Sequence, residues 1–210
     1  MLIERPPFLF RALFPGAEWR LEGNAPGRNR SVFLTFDDGP DPEVTPWVLD
    51  TLARYDIPAT FFMVGENVAR YPDLAADVIA RGHSVGNHTM HHARGLFMSA
   101  ADYMADVDEA AALINSPLFR PPHGLLRPSQ LRALRASGRR AIMYDLVTRD
   151  YSSRLAPRDV IKNVSRLVRP GSIIVFHDSQ KAFRCLREAL PASIEWLLSH
   201  GYGFLPVSMA

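Results

Sequence analysis

The sequence predicts an α/β protein in which a parallel sheet carries its helices on the outside. Short uncharged runs rich in β-branched and aromatic residues alternate with segments of helical periodicity from residue 31 to residue 207. Such alternation is typical of units with parallel strands. In addition, acids and histidines follow directly after most of the strand-like runs. Functional sites of parallel α/β folds lie at the carboxyl ends of the strands, so this second pattern supports the same fold class.

The composition is typical of one globular domain. The chain has 210 residues, of which 47% are hydrophobic and 22% charged, and its net charge is +2. We expect a single domain over residues 31–210, with an N-terminal segment, 1–30, packed on it. The small net charge and the scattered arginines predict no nucleic-acid partner. The sequence carries no pattern that indicates an oligomeric state.

The N-terminus predicts neither a membrane span nor an export signal. The chain contains no apolar run as long as a spanning helix. Glu4, Pro6, Pro7 and Arg11 interrupt the apolar residues at the start of the chain, which is not typical of a signal peptide. We therefore expect a cytoplasmic protein. The aromatic N-terminus has two interpretations, a docked segment that covers the core, which we favour, or an amphipathic turn on a membrane surface.

The first strand and the turn after it are the most distinctive elements in the chain. Residues 31–36 carry no charge and predict a buried strand, and Asp37, Asp38 and the pair Gly39-Pro40 follow. A turn at this point can direct both carboxylates into one pocket, although adjacent side chains of a strand point to opposite sides. Two close carboxylates repel, so one of them needs a cation or a proton. The alternative is an Asx-type turn with both acids in solvent.

The remaining elements follow from periodicity, apolar runs and turn residues. The predicted helices are 44–55, 73–81, 101–115, 129–138, 157–168 and 182–200. The remaining predicted strands are 59–64, 83–87, 118–120, 141–146, 172–176 and 204–207. Asp41 or Thr45 can cap the first helix, and Gly82 and Gly201 follow the ends of two others.

Residues 88–92, HTMHH, have a spacing typical of metal ligands. His88 and His92 are four residues apart, which on a helical turn places both imidazoles on one face. Together with Asp38 they would form a set of two histidines and one carboxylate with coordination positions left open. Such a set suits a catalytic metal better than a structural one. The alternative is a histidine-rich loop that only forms hydrogen bonds.

These segments resemble the polysaccharide deacetylase family, the NodB-homology domain of carbohydrate esterase family 4. The matching motifs occur in family order: TFDDG at 35–39, HTxxH at 88–92, RPPHG at 120–124, DY at 150–151 and VFHD at 175–178. The resemblance implies a distorted (β/α)7-type barrel with parallel strands and outer helices. It also implies a metal-dependent hydrolase that removes N-acetyl groups from an N-acetylated amino sugar in a saccharide or glycan precursor.

The resemblance also implies the catalytic roles. Asp38, His88 and His92 would hold a divalent metal, with zinc as the first candidate and cobalt, nickel or another transition metal as alternatives. The metal would lower the pKa of a bound water, which attacks the amide. Asp37 would be the general base that takes the water's proton, and His177 the general acid that gives a proton to the leaving amine.

Further residues would assist this chemistry. The resemblance implies that Arg120 pairs with Asp37 and that Asp150 pairs with His177, which separates the pKa values of base and acid. A backbone N–H near His123 would stabilise the oxyanion. The implied substrate contacts are Pro122, His123, Gly124, Tyr151 and Val175.

The chain departs from the family pattern at four positions. Val147 stands where the fourth motif usually begins with Asp, and Tyr151, His123 and Val175 replace the usual Trp, Tyr and Leu. These changes affect the walls of the site rather than the metal ligands, and they leave the substrate open. The alternatives are a hydrolase of another linear or cyclic amide on the same barrel and a non-catalytic carbohydrate-binding relative.

Overall fold

The computed structural model describes residues 4–23 and 30–207. Its helices are α1 Phe8–Ala12, α2 Val44–Arg54, α3 Gly65–Arg70, α4 Pro72–Ala80, α5 Ala100–Ala111, α6 Pro128–Ala136, α7 Pro157–Leu167 and α8 Gln180–Ser199. Its strands are β1 Arg30–Asp37, β2 Thr60–Met63, β3 Ser84–Asn87, β4 Leu118–Phe119, β5 Arg140–Ala141, β6 Leu146–Val147, β7 Ile173–His177 and β8 Tyr202–Phe204. Residues 1–3 and 24–29 of the predicted N-terminal segment, and 208–210 of the predicted domain, lie outside the described residues.

The strands form one curled, parallel sheet with the helices on its outside. Its order is β5-β4-β3-β2-β1-β7-β6, and β8 pairs with the start of β1. The edges of this path are β5 and β6, so the sheet is a half-barrel with an open seam. The (β/α)7-type architecture predicted from the resemblance is therefore confirmed.

Alternation along β1 separates the hydrophobic core from the interior of the half-barrel. Leu34 and Phe36 point outward into the core beneath the helices, where the Phe36 ring stacks on Phe61 with a centroid distance of 5.0 Å. Thr35 points inward and accepts a hydrogen bond from Arg120. Since residues two apart share a face of the sheet, Asp37 also points inward, at the carboxyl end of the strand.

The N-terminal segment occupies the seam between the two edge strands. The Glu18 N–H donates to the Ala141 carbonyl at 2.9 Å, and the Glu18 carbonyl accepts from the Met143 N–H at 2.7 Å. On the other edge, the Val147 N–H donates to the Glu4 carbonyl at 2.8 Å. These backbone hydrogen bonds bridge β5 and β6 through residues that lie more than a hundred positions away in the chain.

The aromatic residues of this segment divide between the core and the surface. Phe14 is buried, and the Phe10 ring contacts the Phe14 and Trp19 rings with centroid distances of 5.3 and 5.9 Å. Phe8 and Leu9 remain 80% and 79% exposed. The face of α1 that carries Phe10 is therefore docked on the core, as expected. The face that carries Phe8 and Leu9 is apolar and exposed to solvent.

The predicted strand 141–146 is wrong, because the structure has two short strands there. Between β5 and β6 the backbone bonds to other partners. The Met143 N–H reaches the N-terminal segment, and the carbonyls of Ile142 and Met143 accept hydrogen bonds from the Arg120 guanidinium. Two smaller differences are the unpredicted helix α3 and the position of β8, which begins two residues before the predicted strand 204–207.

Candidate active site

Parallel register places the predicted base and acid side by side at the open end of the half-barrel. Asp37 is the last residue of β1 and lies in register with His177, the last residue of β7. Residues paired in this way project to the same face of a sheet. Both side chains consequently line one cavity.

The turn after β1 directs the second carboxylate into the same cavity. Asp38 has a left-handed backbone, with a φ of 82°, which is uncommon for residues other than glycine. Its carbonyl accepts a hydrogen bond from the Asn67 side chain at 2.8 Å, and the Gly39 carbonyl accepts one from the Val64 N–H at 2.9 Å. Since Asp37 is buried, the alternative of two solvated acids is wrong.

Asp178 supports this turn, a contact that the sequence did not predict. Its carboxyl group accepts hydrogen bonds from the Gly39 N–H at 3.1 Å and from the Thr45 hydroxyl at 2.6 Å. A Cβ at Gly39 would collide with this carboxyl group, so the turn requires glycine. Burial raises the pKa of Asp178 well above its usual value. Neither His177 nor Asp178 caps the helix that follows, because both side chains bond elsewhere.

The two predicted metal-ligating histidines converge through an irregular turn, not through the helical turn that their spacing suggested. The backbone is left-handed at Thr89 and His92, with φ values of 67° and 52°. The Thr89 N–H donates to the side-chain oxygen of Asn87, and the Thr89 hydroxyl accepts from the Ala93 N–H, both at 2.8 Å. These local hydrogen bonds fold the loop so that the imidazoles of His88 and His92 lie with centroids 5.2 Å apart.

Asp38, His88 and His92 fit a metal ion. Their three ligand atoms lie within 4.8 Å of one another. The Asp38 carboxylate is 3.1 Å from His92 Nε2 and 3.7 Å from His88 Nε2. His88 Nδ1 lies 2.8 Å from the Arg120 carbonyl, and donation to that oxygen leaves Nε2 free to bind a metal. Histidines that bind a metal through one ring nitrogen usually donate a hydrogen bond from the other ring nitrogen in this way.

Electrostatics within this set favour an ionised Asp38 and a neutral His88. Burial raises the pKa of Asp38, but its hydrogen bond with His92 and the charges of His177, His88 and His92 lower the pKa well below its usual range. Burial lowers the pKa of His88 to about 4. An ionised carboxylate and a neutral imidazole are the protonation states that metal binding requires.

Arg120 connects the predicted base to the interior of the sheet. Its guanidinium donates to the Asp37 carboxylate and to the Thr35 hydroxyl, both at 2.7 Å. It also donates to the carbonyls of Ile142 and Met143 at 3.1 and 3.0 Å. The Arg120 side chain is 1% exposed. The buried pair with Asp37 is therefore present, and the same arginine also holds the chain between β5 and β6.

Asp150 holds the predicted acid at two points. One carboxylate oxygen lies 2.8 Å from His177 Nδ1, and the other accepts the His177 backbone N–H at 2.8 Å. Burial alone would lower the pKa of His177. The charge and hydrogen bond of Asp150, with the charges of Asp38 and Asp37, outweigh burial and raise the pKa to about 9.

A cavity of about 270 Å³ is lined by the possible metal ligands and by Asp37, Arg120 and His177, whereas Asp150 lies behind His177 and does not line it. Of the predicted substrate contacts, His123, Gly124, Tyr151 and Val175 lie in its walls, and Val147 lies there too. Pro122 does not line this cavity, and its contact with the substrate stays a prediction. It lines a neighbouring groove instead, because the turn Pro122–Gly124 separates the two.

Two residues of the cavity wall were missed by sequence reasoning, Tyr144 and Lys181. Tyr144 lies within the run predicted as a strand, where alternation alone could have indicated an inward side chain. Lys181 lies in the first turn of α8, and its ammonium group is 5.4 Å from the centroid of the Tyr151 ring. The place of Lys181 in the cavity wall follows only from how α8 packs after β7, which the sequence does not indicate.

The family model described as polysaccharide deacetylase matches residues 24–142, more than half of the chain. The chain belongs to this family. It is 36% identical over 156 residues to a chitooligosaccharide deacetylase of Bradyrhizobium sp., covering 71% of both chains. It is 32% identical over 190 residues to a peptidoglycan-N-acetylglucosamine deacetylase of Bacillus cereus, covering 87% of this chain and 89% of the relative.

Solved structures of the family support the fold. A peptidoglycan N-acetylglucosamine deacetylase, solved in complex with 4-naphthalen-1-yl-N-oxidanyl-benzamide, superposes with a TM-score of 0.85 at 27% identity. The superposition covers 96% of this chain and 95% of that one. Family membership confirms that the protein is a hydrolase, as the resemblance implied. Over 4–23 and 30–207, none of the helices combines the length and apolar character needed to cross a bilayer. The expected cytoplasmic location stays a prediction.

Proposed function

We propose that the protein is a metal-dependent hydrolase that removes N-acetyl groups from an N-acetylated amino sugar in a saccharide or glycan precursor. The observation that carries the proposal is the presence, in one cavity, of a possible metal-ligand set and a separately paired base and acid. A structural metal site or a simple sugar-binding cleft needs no such base and acid. The names of the relatives describe the same class of reaction.

The proposed metal site consists of Asp38, His88 and His92. Two imidazoles and a carboxylate suit zinc, with cobalt, nickel or another transition metal as alternatives. A metal held there supplies an acidified water molecule and a polarised amide carbonyl. The binding, the orientation and the proton transfers belong to the chain's own residues.

Asp37 is the proposed general base. Its carboxylate is held by Arg120 at 2.7 Å, and it lines the cavity next to the Asp38–His88–His92 set. It takes a proton from the water as the oxygen bonds to the carbonyl carbon. His123 lies in the wall of the cavity and has a left-handed backbone, with a φ of 61°. Its backbone N–H is the proposed donor to the developing oxyanion.

His177 is the proposed general acid. With a pKa raised to about 9 it carries its proton at neutral pH. Asp150 occupies Nδ1, so Nε2 is the nitrogen that gives its proton to the amine. The bond between carbon and nitrogen then breaks, and the products are acetate and a free amino sugar.

The test is acetate release from N-acetylglucosamine oligomers and peptidoglycan fragments. We expect release to fall to background in metal-stripped protein and to return when zinc or cobalt is added. His92→Ala should abolish it. His91→Ala is the matched control, because His91 pairs with Asp106 outside the proposed ligand set, and this variant should keep wild-type activity.

Two outcomes would contradict the proposal. Bound metal without acetate release from any of these sugars would point to another linear or cyclic amide. Neither metal binding nor release would leave a non-catalytic carbohydrate-binding member of the family.

A further inference from the structure

The first helix, α1, presents an apolar face to solvent. Phe8, Leu9 and Leu13 are 80%, 79% and 61% exposed, and Ala12 is exposed as well. Their spacing of i, i+1, i+4 and i+5 places the four side chains on one face of a helical turn. We call these four residues the α1 patch. Apolar side chains gathered in this way indicate an interaction site, whereas apolar side chains exposed singly are normal on a surface.

The opposite face of α1 is fixed to the domain. Phe14 is buried, and the Phe10 ring packs on it with a centroid distance of 5.3 Å. The Arg11 guanidinium donates to the Asp145 carboxylate and to the Pro6 carbonyl, both at 2.9 Å. Because these contacts hold one side of the helix against the sheet, the α1 patch cannot turn inward. A surface that is fixed in advance loses little conformational entropy on binding.

The helix α6 lies beside α1 and brings a cation to the edge of the patch. Leu131 and Leu134 on the inner side of α6 belong to the same hydrophobic cluster as Phe14. From the last turn of α6, Arg135 reaches the turn that follows α1, since a Cβ at Gly16 would lie 2.6 Å from its guanidinium carbon. Gly16 stands only three positions after the last residue of the α1 patch.

The charge on this part of the surface is positive and not neutralised. Arg132 and Arg135 are exposed, and neither forms a salt bridge with any residue of 4–23 or 30–207. The helices α1 and α6 contain no acid. Glu4 and Glu18, the nearest acids in the chain on either side of α1, are each paired with an arginine already. An apolar patch therefore adjoins two cations that are available to an anionic partner.

We propose that the α1 patch, together with Arg132 and Arg135, docks the protein on the surface of an anionic lipid bilayer. The apolar side chains enter the boundary between headgroups and acyl chains, and the two arginines meet lipid phosphates at the surface. An apolar helix face with adjoining cations is typical of helices that lie in a membrane interface. Docking of this kind needs neither the metal nor turnover, so the inference is independent of the proposed function.

A second copy of the chain fits this surface less well than a bilayer does. A two-fold interface uses the same surface on both subunits, so it would bring Arg135 of one copy toward the same cation of the other. The four side chains of the α1 patch also cover much less than the about 800 Å² per partner that a stable protein interface buries. A bilayer supplies both hydrocarbon and phosphate, whatever the size of the patch.

The test is cosedimentation of the full chain with lipid vesicles. One set contains phosphatidylcholine alone, and the other contains phosphatidylcholine and phosphatidylglycerol in equal parts. We expect binding to the anionic vesicles, and this binding should weaken as salt is raised from about 0.1 to about 0.5 M. Phe8→Ser and Leu13→Ser should each weaken it about five- to ten-fold. Ile79→Ser is the matched control, because Ile79 is 57% exposed on α4, which packs on a different hydrophobic cluster.

The electrostatic part of the inference is tested with Arg135→Gln. This variant should bind anionic vesicles about five-fold more weakly and should behave like the wild type toward phosphatidylcholine alone. Arg54→Gln is its control, since Arg54 is an exposed arginine at the end of α2, away from the cluster that α1 and α6 share. Because all of these changes are at exposed side chains, the variants should unfold at the temperature of the wild type.

Three results would overturn the inference. The first is no binding to either kind of vesicle. The second is a loss of binding in Ile79→Ser as large as that in Phe8→Ser and Leu13→Ser. The third is a dimer, detected by light scattering, that Phe8→Ser dissociates while the wild type does not bind vesicles, which would assign the α1 patch to a second copy of the chain.

Discussion

Two neighbouring carboxylates at the end of β1 have different surroundings, and this difference assigns them different roles. Asp37 faces a buried guanidinium, whereas Asp38 faces two imidazoles. The left-handed turn at Asp38 makes this possible, because it rotates the second side chain away from the Arg120 pair and toward the histidines. A difference of one position in the chain thus separates a proposed base from a proposed metal ligand.

At the residue scale, Asp150→Asn should alter the pH dependence of the reaction. His177 acts in its protonated form, so activity is lost as the pH rises through its pKa. Asp150 is the main group that raises that pKa to about 9 against the effect of burial. We expect the basic limb of the kcat–pH profile to move to lower pH by about one unit or more. Acetate release measured from pH 6 to 10 checks this.

The control for Asp150→Asn is Asp108→Asn, which removes an exposed carboxylate that pairs with Arg139. Its basic limb should coincide with that of the wild type. An unchanged limb in Asp150→Asn would show that His177 is not the group whose proton the reaction needs.

At the scale of elements, one buried carboxylate ties the N-terminal segment to the sheet. The Asp145 side chain is fully buried, and it accepts from Arg11 at 2.9 Å, from Arg169 at 2.5 and 3.0 Å and from the Ser172 hydroxyl at 2.7 Å. Arg5 lies 3.4 Å away. The two arginines of the N-terminal segment thus meet an anion that lies between β5 and β6. The N-terminal segment is therefore held between β5 and β6 both by salt bridges to Asp145 and by backbone hydrogen bonds.

Asp145→Asn should therefore destabilise the fold in a pH-dependent manner. Burial raises the pKa of Asp145, but its bonds with Arg169 and Ser172 and the nearby arginines lower it to about 2. A depressed pKa adds stability above the unfolded-state value near 3.8 and loses it as the pH falls toward 2. We expect a loss of about 2 to 3 kcal/mol in the free energy of unfolding at pH 7. The difference from wild type should shrink below about pH 4.

Urea unfolding at a series of pH values measures this effect. Asp50→Asn is a suitable control, because its pair with Arg81 is exposed and should contribute less than about 1 kcal/mol. Two results would contradict this account. One is a loss of unfolding free energy in Asp145→Asn no larger than that in Asp50→Asn, and the other is an equal loss at pH 3 and pH 7.

At the scale of the whole molecule, the sequence predicts where the chemistry lies because the parallel sheet brings strand ends together. Asp37, His88, Asp150 and His177 follow or end different strands, and all four are found at one end of the half-barrel. Uncharged strands that end in titratable residues are visible in the sequence. Because parallel strands all run in the same direction, the residues that follow them lie close together at one end of the sheet.

The features that the sequence could not predict depend on contacts between distant segments. The turn that joins His88 to His92 is set by side-chain hydrogen bonds of Asn87 and Thr89, and the spacing alone suggested a helix. The break between β5 and β6 depends on Glu18, which takes the hydrogen bond that a continuous strand would have used. Lys181 likewise enters the cavity wall only through the packing of α8.

The central claim is that the two adjacent acids have different roles: Asp38 binds the metal, and Asp37 takes the proton of the attacking water. The measurement is the metal content of Asp37→Asn and Asp38→Asn at equal free zinc, with acetate release followed on the same samples. The account predicts that Asp37→Asn keeps one metal ion per chain and slows release by about 10² to 10⁴-fold, whereas Asp38→Asn loses the metal together with the activity. Loss of metal from Asp37→Asn with retention in Asp38→Asn, or wild-type release from either variant, would contradict it.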